Sequence, residues 1–183
     1  MKAKIKALVI LSILCVFLAF TYALLPSGKS VPAGRTQVNM GEPLVITDFH
    51  VSELLALAIS NSYGSFGILN SPQGITVVSD IEGYFSAAQM RAFVYLACNL
   101  TGTRRLDTPP EAGDLANHLA IFTLIMTGGR EYGFALLRKS PVSDDYLLFS
   151  EEHQAIFLIS ESHAQWFLRS AKDFLESPAP QHE

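Results

Sequence analysis

The first 25 residues carry the longest apolar run of the chain. Residues 7–25 contain no charged side chain, and Lys2, Lys4 and Lys6 precede them. At about 1.5 Å of helix rise per residue, a run of this length just crosses the hydrocarbon layer of a bilayer, which is about 30 Å thick. The pattern therefore predicts a single membrane-spanning helix that places residues 7–25 in the lipid bilayer.

The lysines in front of this run predict its orientation. Positive residues are retained on the cytoplasmic side, so we expect a cytoplasmic N-terminus and an extracytoplasmic chain from Pro26 onward, in a single-pass protein of the cytoplasmic membrane. The alternative is a cleaved secretory signal, because Thr21-Tyr22-Ala23 has small residues at the spacing that a signal peptidase reads. Signal cores are usually about 7–15 apolar residues long, so the length of this run favours a retained anchor.

The rest of the chain divides into a tether, a domain and a tail. Residues 26–43 are rich in Gly and Pro without an apolar period, which predicts a flexible tether. Residues 44–176 have regular apolar patterns and are expected to form one extracytoplasmic domain. Residues 177–183 contain Pro178 and Pro180 and are expected to be a disordered tail.

The first half of the domain predicts an antiparallel meander. Two segments with the Asn, Pro and Gly chemistry of hairpin loops, residues 61–64 and 70–74, separate its apolar runs. Within residues 55–59 large side chains alternate with alanine, which is typical of a strand with one thick and one thin face. A helix remains an alternative there, because Leu and Ala favour helices. The predicted strands are residues 44–49, 52–60, 66–69 and 75–78.

Two helices are predicted from capping signals followed by apolar positions at helical spacing. Ser86 and Gln89 have capping-box spacing, and Gly102 marks the predicted end of the first helix. Ser162 and Gln165 repeat that spacing at the start of a closing helix that runs to Leu175. The expected buried faces are Met90, Phe93, Val94, Ala97 and Leu100 in the first helix, and Ala164, Phe167, Leu168, Ala171 and Leu175 in the second.

A second meander is predicted between these helices. Residues 103–118 read as irregular, with one or two helical turns within 111–118. Gly128-Gly129 lies between two apolar runs and predicts a tight hairpin, since both turn positions need positive φ. The predicted strands are residues 119–126, 131–137, 146–149 and 155–159. The fold class is thus α+β: antiparallel meanders with two covering helices in a loose strands-helix-strands-helix duplication, preceded by one N-terminal transmembrane helix.

Charge and cysteine content narrow the function classes. After residue 25 the chain holds 10 basic and 17 acidic side chains, a net charge of −7. An acidic domain without a basic stripe is a poor partner for nucleic acid, because phosphate neutralisation supplies most non-specific affinity. With only Cys15 and Cys98 in the chain, no disulfide is expected within the domain, so its stability must come from its core.

No catalytic constellation emerges from the motifs. Asp144-Asp145 and Glu151-Glu152 are neighbouring carboxylates, but no oxygen-rich loop of the calcium-binding kind accompanies them. His118, Asp114 and a distant serine lack a Gly-x-Ser-x-Gly turn to support a triad. The histidines show no metal-binding spacing. We therefore expect no enzyme activity, no catalytic residue, no metal and no cofactor. The candidate contacts with a partner or an anionic ligand are Arg104, Arg105, Asp144, Asp145 and Tyr146.

Several segments together resemble one bacterial family, the domain of unknown function 4340. The resemblance covers residues 44–175 and lies in patterns of packing and turns, without a catalytic motif. The segments that carry it are Asp48-Phe-His-Val-Ser-Glu-Leu54, Ala97-Cys-Asn-Leu-Thr-Gly-Thr-Arg104, Gly128-Gly129, Lys139-Ser-Pro-Val-Ser-Asp-Asp-Tyr146, Ala155-Ile-Phe-Leu-Ile159 and Phe167-Leu-Arg-Ser-Ala-Lys-Asp-Phe-Leu175.

This resemblance implies an anchored envelope protein that accompanies an ABC transporter similar to those of gliding-motility systems. The expected function is that of a non-enzymatic accessory subunit, with the transporter's permease and ATPase subunits as partners. The alternative is a stand-alone module that binds or senses a small envelope molecule. An apolar pocket between sheet and helices, where Tyr, Trp and Arg side chains converge, would favour that alternative.

Overall fold

The computed structural model describes residues 43–107 and 109–176. The predicted membrane anchor, nearly all of the tether and the C-terminal tail lie outside the described residues. Among those residues, no helix combines the length and the apolarity needed to cross a membrane.

The domain is α+β, with antiparallel strand pairing throughout the described sheets, as the sequence predicts. Two short 3-10 helices, Val51–Glu53 and Ala171–Phe174, accompany the main elements. The α-helices are α1 (Ala87–Cys98), α2 (Ala112–Ala116) and α3 (Glu161–Phe167). The strands are β1 (Leu44–Val45), β2 (Leu54–Asn61), β3 (Gly64–Ser71), β4 (Gly74–Val78), β5 (Thr101–Gly102), β6 (Arg104–Leu106), β7 (Ala120–Met126), β8 (Glu131–Lys139), β9 (Tyr146–Ser150) and β10 (Ala155–Ile159).

Eight strands form one sheet in the order β4-β3-β2-β7-β8-β9-β10-β6, and β1 pairs with β5 separately. The two meanders meet at the centre, where β2 runs antiparallel to β7. Each meander is followed by a helix, α1 after β4 and α3 after β10. The predicted strands-helix-strands-helix order is therefore confirmed.

The alternation in residues 55–59 is confirmed as a strand, with one exception. Leu57 and Ile59 lie on the face that α1 and α3 cover, while Ala58 lies on the opposite face. Leu55 leaves the alternation because the register with β7 shifts between Leu54 and Ala56, so its side chain is 45% exposed. A bulge of this kind inserts one residue and re-aims the side chains around it.

Three boundaries differ from the prediction near the first helix. Residues 44–49 form a strand only at Leu44–Val45, because Thr47 leaves the sheet to cap α1. The Thr47 hydroxyl donates to the Ala97 carbonyl (2.9 Å) and accepts from the Leu100 amide (2.7 Å). Gly102 belongs to β5 instead of ending the helix, and residues 104–106, predicted to be irregular, form the edge strand β6. The helical turn predicted within 111–118 is confirmed as α2.

The predicted closing helix from Ser162 to Leu175 is wrong in both bounds. Ser160 is the N-cap, since its side chain accepts from the His163 amide, and α3 ends at Phe167. Ser170 then adopts an extended conformation and its amide and hydroxyl both donate to the Asp173 carboxylate, at 2.7 and 2.9 Å. This second cap starts the 3-10 helix Ala171–Phe174, because a new N-cap satisfies amides that a continuous helix would bond internally.

An aromatic cluster joins the two helices to the sheet. Phe93 of α1 packs against Phe167 of α3 (ring centroids 5.3 Å apart) and stacks on Phe174 (5.5 Å). Phe167 stacks in turn on Phe122 of β7 at 3.9 Å, and Phe122 on Phe134 of β8 at 4.9 Å. All five rings are buried. Because the contacts pass from helix to helix to sheet, this cluster fixes the position of both helices.

The opposite face of the sheet has a smaller apolar cluster over β7 to β10. Leu115 of α2 and Leu106 of β6 pack against it. Both leucines come from the part of the chain that the sequence predicts to be irregular, and they cover apolar side chains that would otherwise face water. The buried members are Ile121, Ala135, Leu137, Leu147, Phe149, Ile156 and Leu158.

We expect Phe93→Ala to lower the free energy of unfolding by about 3–5 kcal/mol, because a large ring in a filled core leaves a cavity. Tyr95→Ala is the matched control on the same helix, since the Tyr95 side chain is 63% exposed and its removal is expected to change stability by less than about 0.5 kcal/mol. Urea denaturation followed by circular dichroism measures both. Equal losses for the two variants would show that the cluster does not hold α1.

Candidate functional site

A cleft of about 670 Å³ lies at one end of the sheet. There β2 ends, β7 and β9 begin, and α3 passes beside them. The volume falls within the ~300–1,000 Å³ range that is usual for small-molecule sites. The lining residues are Ser60, Asn61, Ser62, Tyr63, Ala116, His118, Leu119, Tyr146, Gln165 and Leu168.

Asn61 holds two walls of the cleft together. Its side-chain amide donates to the carbonyls of Phe167 (3.0 Å) and Arg169 (2.8 Å), at the end of α3. Its side-chain oxygen accepts from the Tyr63 amide at 2.9 Å, which shapes the turn between β2 and β3. A single asparagine therefore fastens this turn to the closing helix and sets the distance between the two walls.

A third wall is positioned by an ion pair. The Arg138 guanidinium on β8 donates to the Asp114 carboxylate on α2 at 2.8 Å. The bond to Asp114 raises the pKa of Arg138 above its usual value. With α2 held in this way, the His118 Nδ1–H donates to the Leu115 carbonyl at 3.0 Å. In a neutral ring with that tautomer, Nε2 remains as an acceptor.

Asp114 bonds to Arg138 and His118 bonds to a backbone carbonyl, so the two side chains do not form an acid–base pair.

Of the five candidate contact residues, Tyr146 lies in the cleft. It is 9% exposed, pairs with Ile159 of β10, and has Lys139 of β8 opposite it. Arg104 and Arg105 lie on the edge strand β6, on the far side of β10. Arg105 donates to Asp107 at 2.7 Å and lies over the Phe157 ring at 5.9 Å. Arg104 has a buried Nε without a partner among the described residues.

Asp144 and Asp145 belong to the loop 140–145 between β8 and β9. The Asp144 carboxylate accepts from the Lys139 amine at 2.9 Å, and this bond raises the pKa of Lys139. The Asp145 carboxylate accepts from the Thr103 hydroxyl at 3.3 Å. The structure thus brings residues 103 and 145 together across the end of β10, while the Arg105 guanidinium is engaged separately with Asp107.

Sequence reasoning missed most of the cleft. The residue types around Asn61 and Tyr63 predicted only a local turn. That prediction gives no sign of the bonds from Asn61 to Phe167 and Arg169, which lie 106 and 108 positions further along the chain. A pocket with converging Tyr, Trp and Arg side chains would favour the ligand-binding alternative, but Trp166 and Arg169 stack on each other at 4.1 Å and do not line this cleft. The cleft also differs from the apolar pocket that would favour a ligand-binding module, since half of its lining residues are Ser, Asn, His or Gln.

The described residues contain no group of three or more His, Cys, Asp or Glu side chains able to hold a metal ion. Among the neighbouring carboxylates considered from the sequence, burial and the nearby Glu131 raise the pKa of Glu151. Cys98 is fully buried in the inner core, and burial raises the pKa of its thiol to about 11. Its surroundings are those of a packing residue.

Comparisons of the chain with protein-family models, with curated proteins and with solved structures found no match.

We expect Asn61→Ala to lower the free energy of unfolding by about 1–3 kcal/mol, because it leaves two partly buried carbonyls without their donors. Asn99→Ala is the matched control, since the Asn99 side-chain amide donates to a carbonyl of its own helix, that of Tyr95, at 3.0 Å. Thermal and urea unfolding measure the two variants. A loss for Asn99→Ala as large as that for Asn61→Ala would contradict the assigned role.

We expect Cys98 to resist alkylation in the native protein. The thiolate is the reacting species, and a fully buried thiol with a pKa of about 11 is almost entirely protonated at pH 8. Iodoacetamide labelling, with peptide mapping to separate Cys98 from Cys15, should give slow modification in buffer and rapid modification in denaturant. Rapid labelling of the native protein would show an accessible, activated thiol.

Proposed function

We propose that this chain is a non-enzymatic, membrane-anchored extracytoplasmic accessory subunit of an ABC-type transporter complex. It acts by docking onto the permease, and the ATPase chemistry belongs to its partners. The apolar run of residues 7–25 supports the anchor, and the family resemblance supports the transporter. The described domain supplies a rigid scaffold on which a docking surface can be held.

The observation that carries the docking hypothesis is the loop 140–145. Its tip presents Val142, 88% exposed, beside the Asp144 carboxylate, 89% exposed. The loop is nevertheless fixed: the Ser140 amide donates to the Asp145 carbonyl at 2.8 Å, and the Val142 amide to the Ser140 hydroxyl at 3.3 Å. An apolar residue on a preformed loop loses little conformational entropy on binding, so it suits a protein contact.

Neighbouring groups extend this surface. Lys139 bonds to Asp144 and lies 3.7 Å from the Glu161 carboxylate at the start of α3. Asp145 reaches Thr103, which precedes β6 and its two arginines. The proposed docking surface therefore combines one exposed aliphatic side chain with charges of both signs, an arrangement that gives specificity through electrostatic complementarity.

Affinity purification of the C-terminally tagged full chain from detergent-solubilised membranes tests this function. We expect an ABC permease and its ATPase to be recovered in fixed proportion. Val142→Asp should reduce their recovery, because it places a charge in an apolar contact. Tyr84→Asp is the matched control, since Tyr84 is equally exposed at 87% but lies beside residue 176, to which its carbonyl bonds. Recovery of this chain alone, under detergents that keep other complexes intact, would overturn the proposal.

The second candidate function is a stand-alone module that binds a small envelope molecule. The cleft at the end of the sheet favours it, because its volume suits a small ligand and several of its side chains offer hydrogen-bonding groups. Docking and ligand binding use different surfaces apart from Tyr146, so variants in the loop and in the cleft separate them.

A further inference from the structure

We propose that the cleft at the end of the sheet binds a neutral, polyhydroxylated ligand, that is, a saccharide. This inference rests on the ligand-binding candidate above and is independent of docking. It identifies the chemical class that the lining side chains fit.

The first argument is charge. The domain is strongly acidic, yet none of the ten residues that line the cleft is Asp, Glu, Lys or Arg. Charged side chains next to lining residues are engaged elsewhere: Arg138 with Asp114, Lys139 with Asp144, and Arg169 over the Trp166 ring. A charged ligand would lose hydration here without gaining a partner of opposite sign, so the cleft favours an uncharged one.

The second argument is the balance of hydrogen-bonding groups. Ser62 and Tyr146 carry hydroxyls that donate and accept, and Gln165 on α3 carries an amide that does both. His118 adds an acceptor at Nε2 when the ring is neutral, because Nδ1 is engaged with Leu115. Donors and acceptors in one cleft match the hydroxyls of a sugar, each of which also donates and accepts.

The third argument is the aromatic wall. The Tyr63 side chain lines the cleft and is 72% exposed, although its backbone is fixed by the bond from its amide to Asn61. An exposed ring on a fixed backbone offers a flat apolar surface at little entropic cost. The C–H face of a pyranose packs on such a surface, while its hydroxyl edge turns toward His118 and Gln165.

The same lining disfavours an apolar ligand. Its aliphatic residues are Ala116, Leu119 and Leu168, whereas Ser, Asn, His and Gln residues supply polar side chains. An oily molecule would bury these polar groups without satisfying them, and each unsatisfied group lowers affinity.

Saturation-transfer NMR on the full chain in phosphatidylcholine nanodiscs tests the proposal, with empty nanodiscs as the blank. The probes are glucose, glucosamine and glucuronate, which share one ring and differ in charge, and cyclohexanol as an apolar probe. We expect glucose to bind with a Kd of about 1 mM or weaker, since an open cleft makes few contacts. The charged analogues should bind more weakly than glucose.

Variants place the binding in the cleft. Tyr63→Ala should weaken glucose binding about tenfold through lost ring contact, and Gln165→Ala about two- to tenfold through a lost hydrogen bond. Tyr95→Ala is the matched control, an exposed tyrosine on α1 that does not line the cleft, and should leave binding unchanged.

The outcomes separate the class of ligand from the site. Equal binding of the three sugars, or glucose binding unaffected by Tyr63→Ala, would overturn the saccharide proposal. Binding of cyclohexanol alone, lost in Tyr63→Ala, would also overturn it while supporting the ligand-binding candidate. No probe signal that depends on cleft residues would count against both.

Discussion

The stacked aromatic cluster of the inner face is the interaction on which the rest of the structure depends. Phe93, Phe167 and Phe122 belong to a helix in each half of the domain and to the central strand β7. Phe167 lies between the other two rings, so the contact of α3 with the sheet and its contact with α1 share one side chain. Since aromatic pairs have preferred ring geometries in addition to their buried area, the cluster sets orientation as well as stability. The core of each half of the strands-helix-strands-helix layout thus includes aromatic side chains from the other half.

The cleft follows from where this cluster places α3. The helix ends at Phe167, and the carbonyls of Phe167 and of Arg169, two residues further on, need donors from outside the helix. Asn61 supplies that donor from the end of β2. The same contact that satisfies the helix end brings the β2–β3 turn, with Tyr63, beside Gln165 and Leu168. The Asn61 side chain therefore both satisfies the carbonyls at the end of α3 and positions one wall of the cleft.

Sequence periodicity predicted the elements well where runs of apolar residues are buried. The predicted apolar face of the first helix is buried, although its last member, Leu100, lies beyond the end of α1 at Cys98. The strand β10 has the predicted bounds and is buried on both faces. Apolar spacing reports burial directly in both elements. The predicted bounds are wrong where a polar side chain ends an element that the apolar spacing would continue. Thr47 ends a strand by capping a helix, and Asp173 ends α3 by capping a new turn at Ser170. The site was harder to predict, because the bonds of Asn61 and Asp145 join residues far apart in the chain. Local pattern carries no information about such pairs.

The distribution of charge distinguishes the two proposed surfaces. Around the loop 140–145, Lys139, Asp144 and Glu161 stand in contact at the surface and remain open to competition from a partner's charges. Ion pairs of this exposed kind contribute little to stability. At the cleft, by contrast, none of the lining residues is Asp, Glu, Lys or Arg, and the Arg138 guanidinium is paired with Asp114. An acidic domain that keeps a neutral cleft and a mixed-charge loop presents two surfaces with different chemistry. The two proposals therefore rest on different chemistry: the saccharide proposal on a cleft lined without Asp, Glu, Lys or Arg, and the docking proposal on a loop that carries charges of both signs.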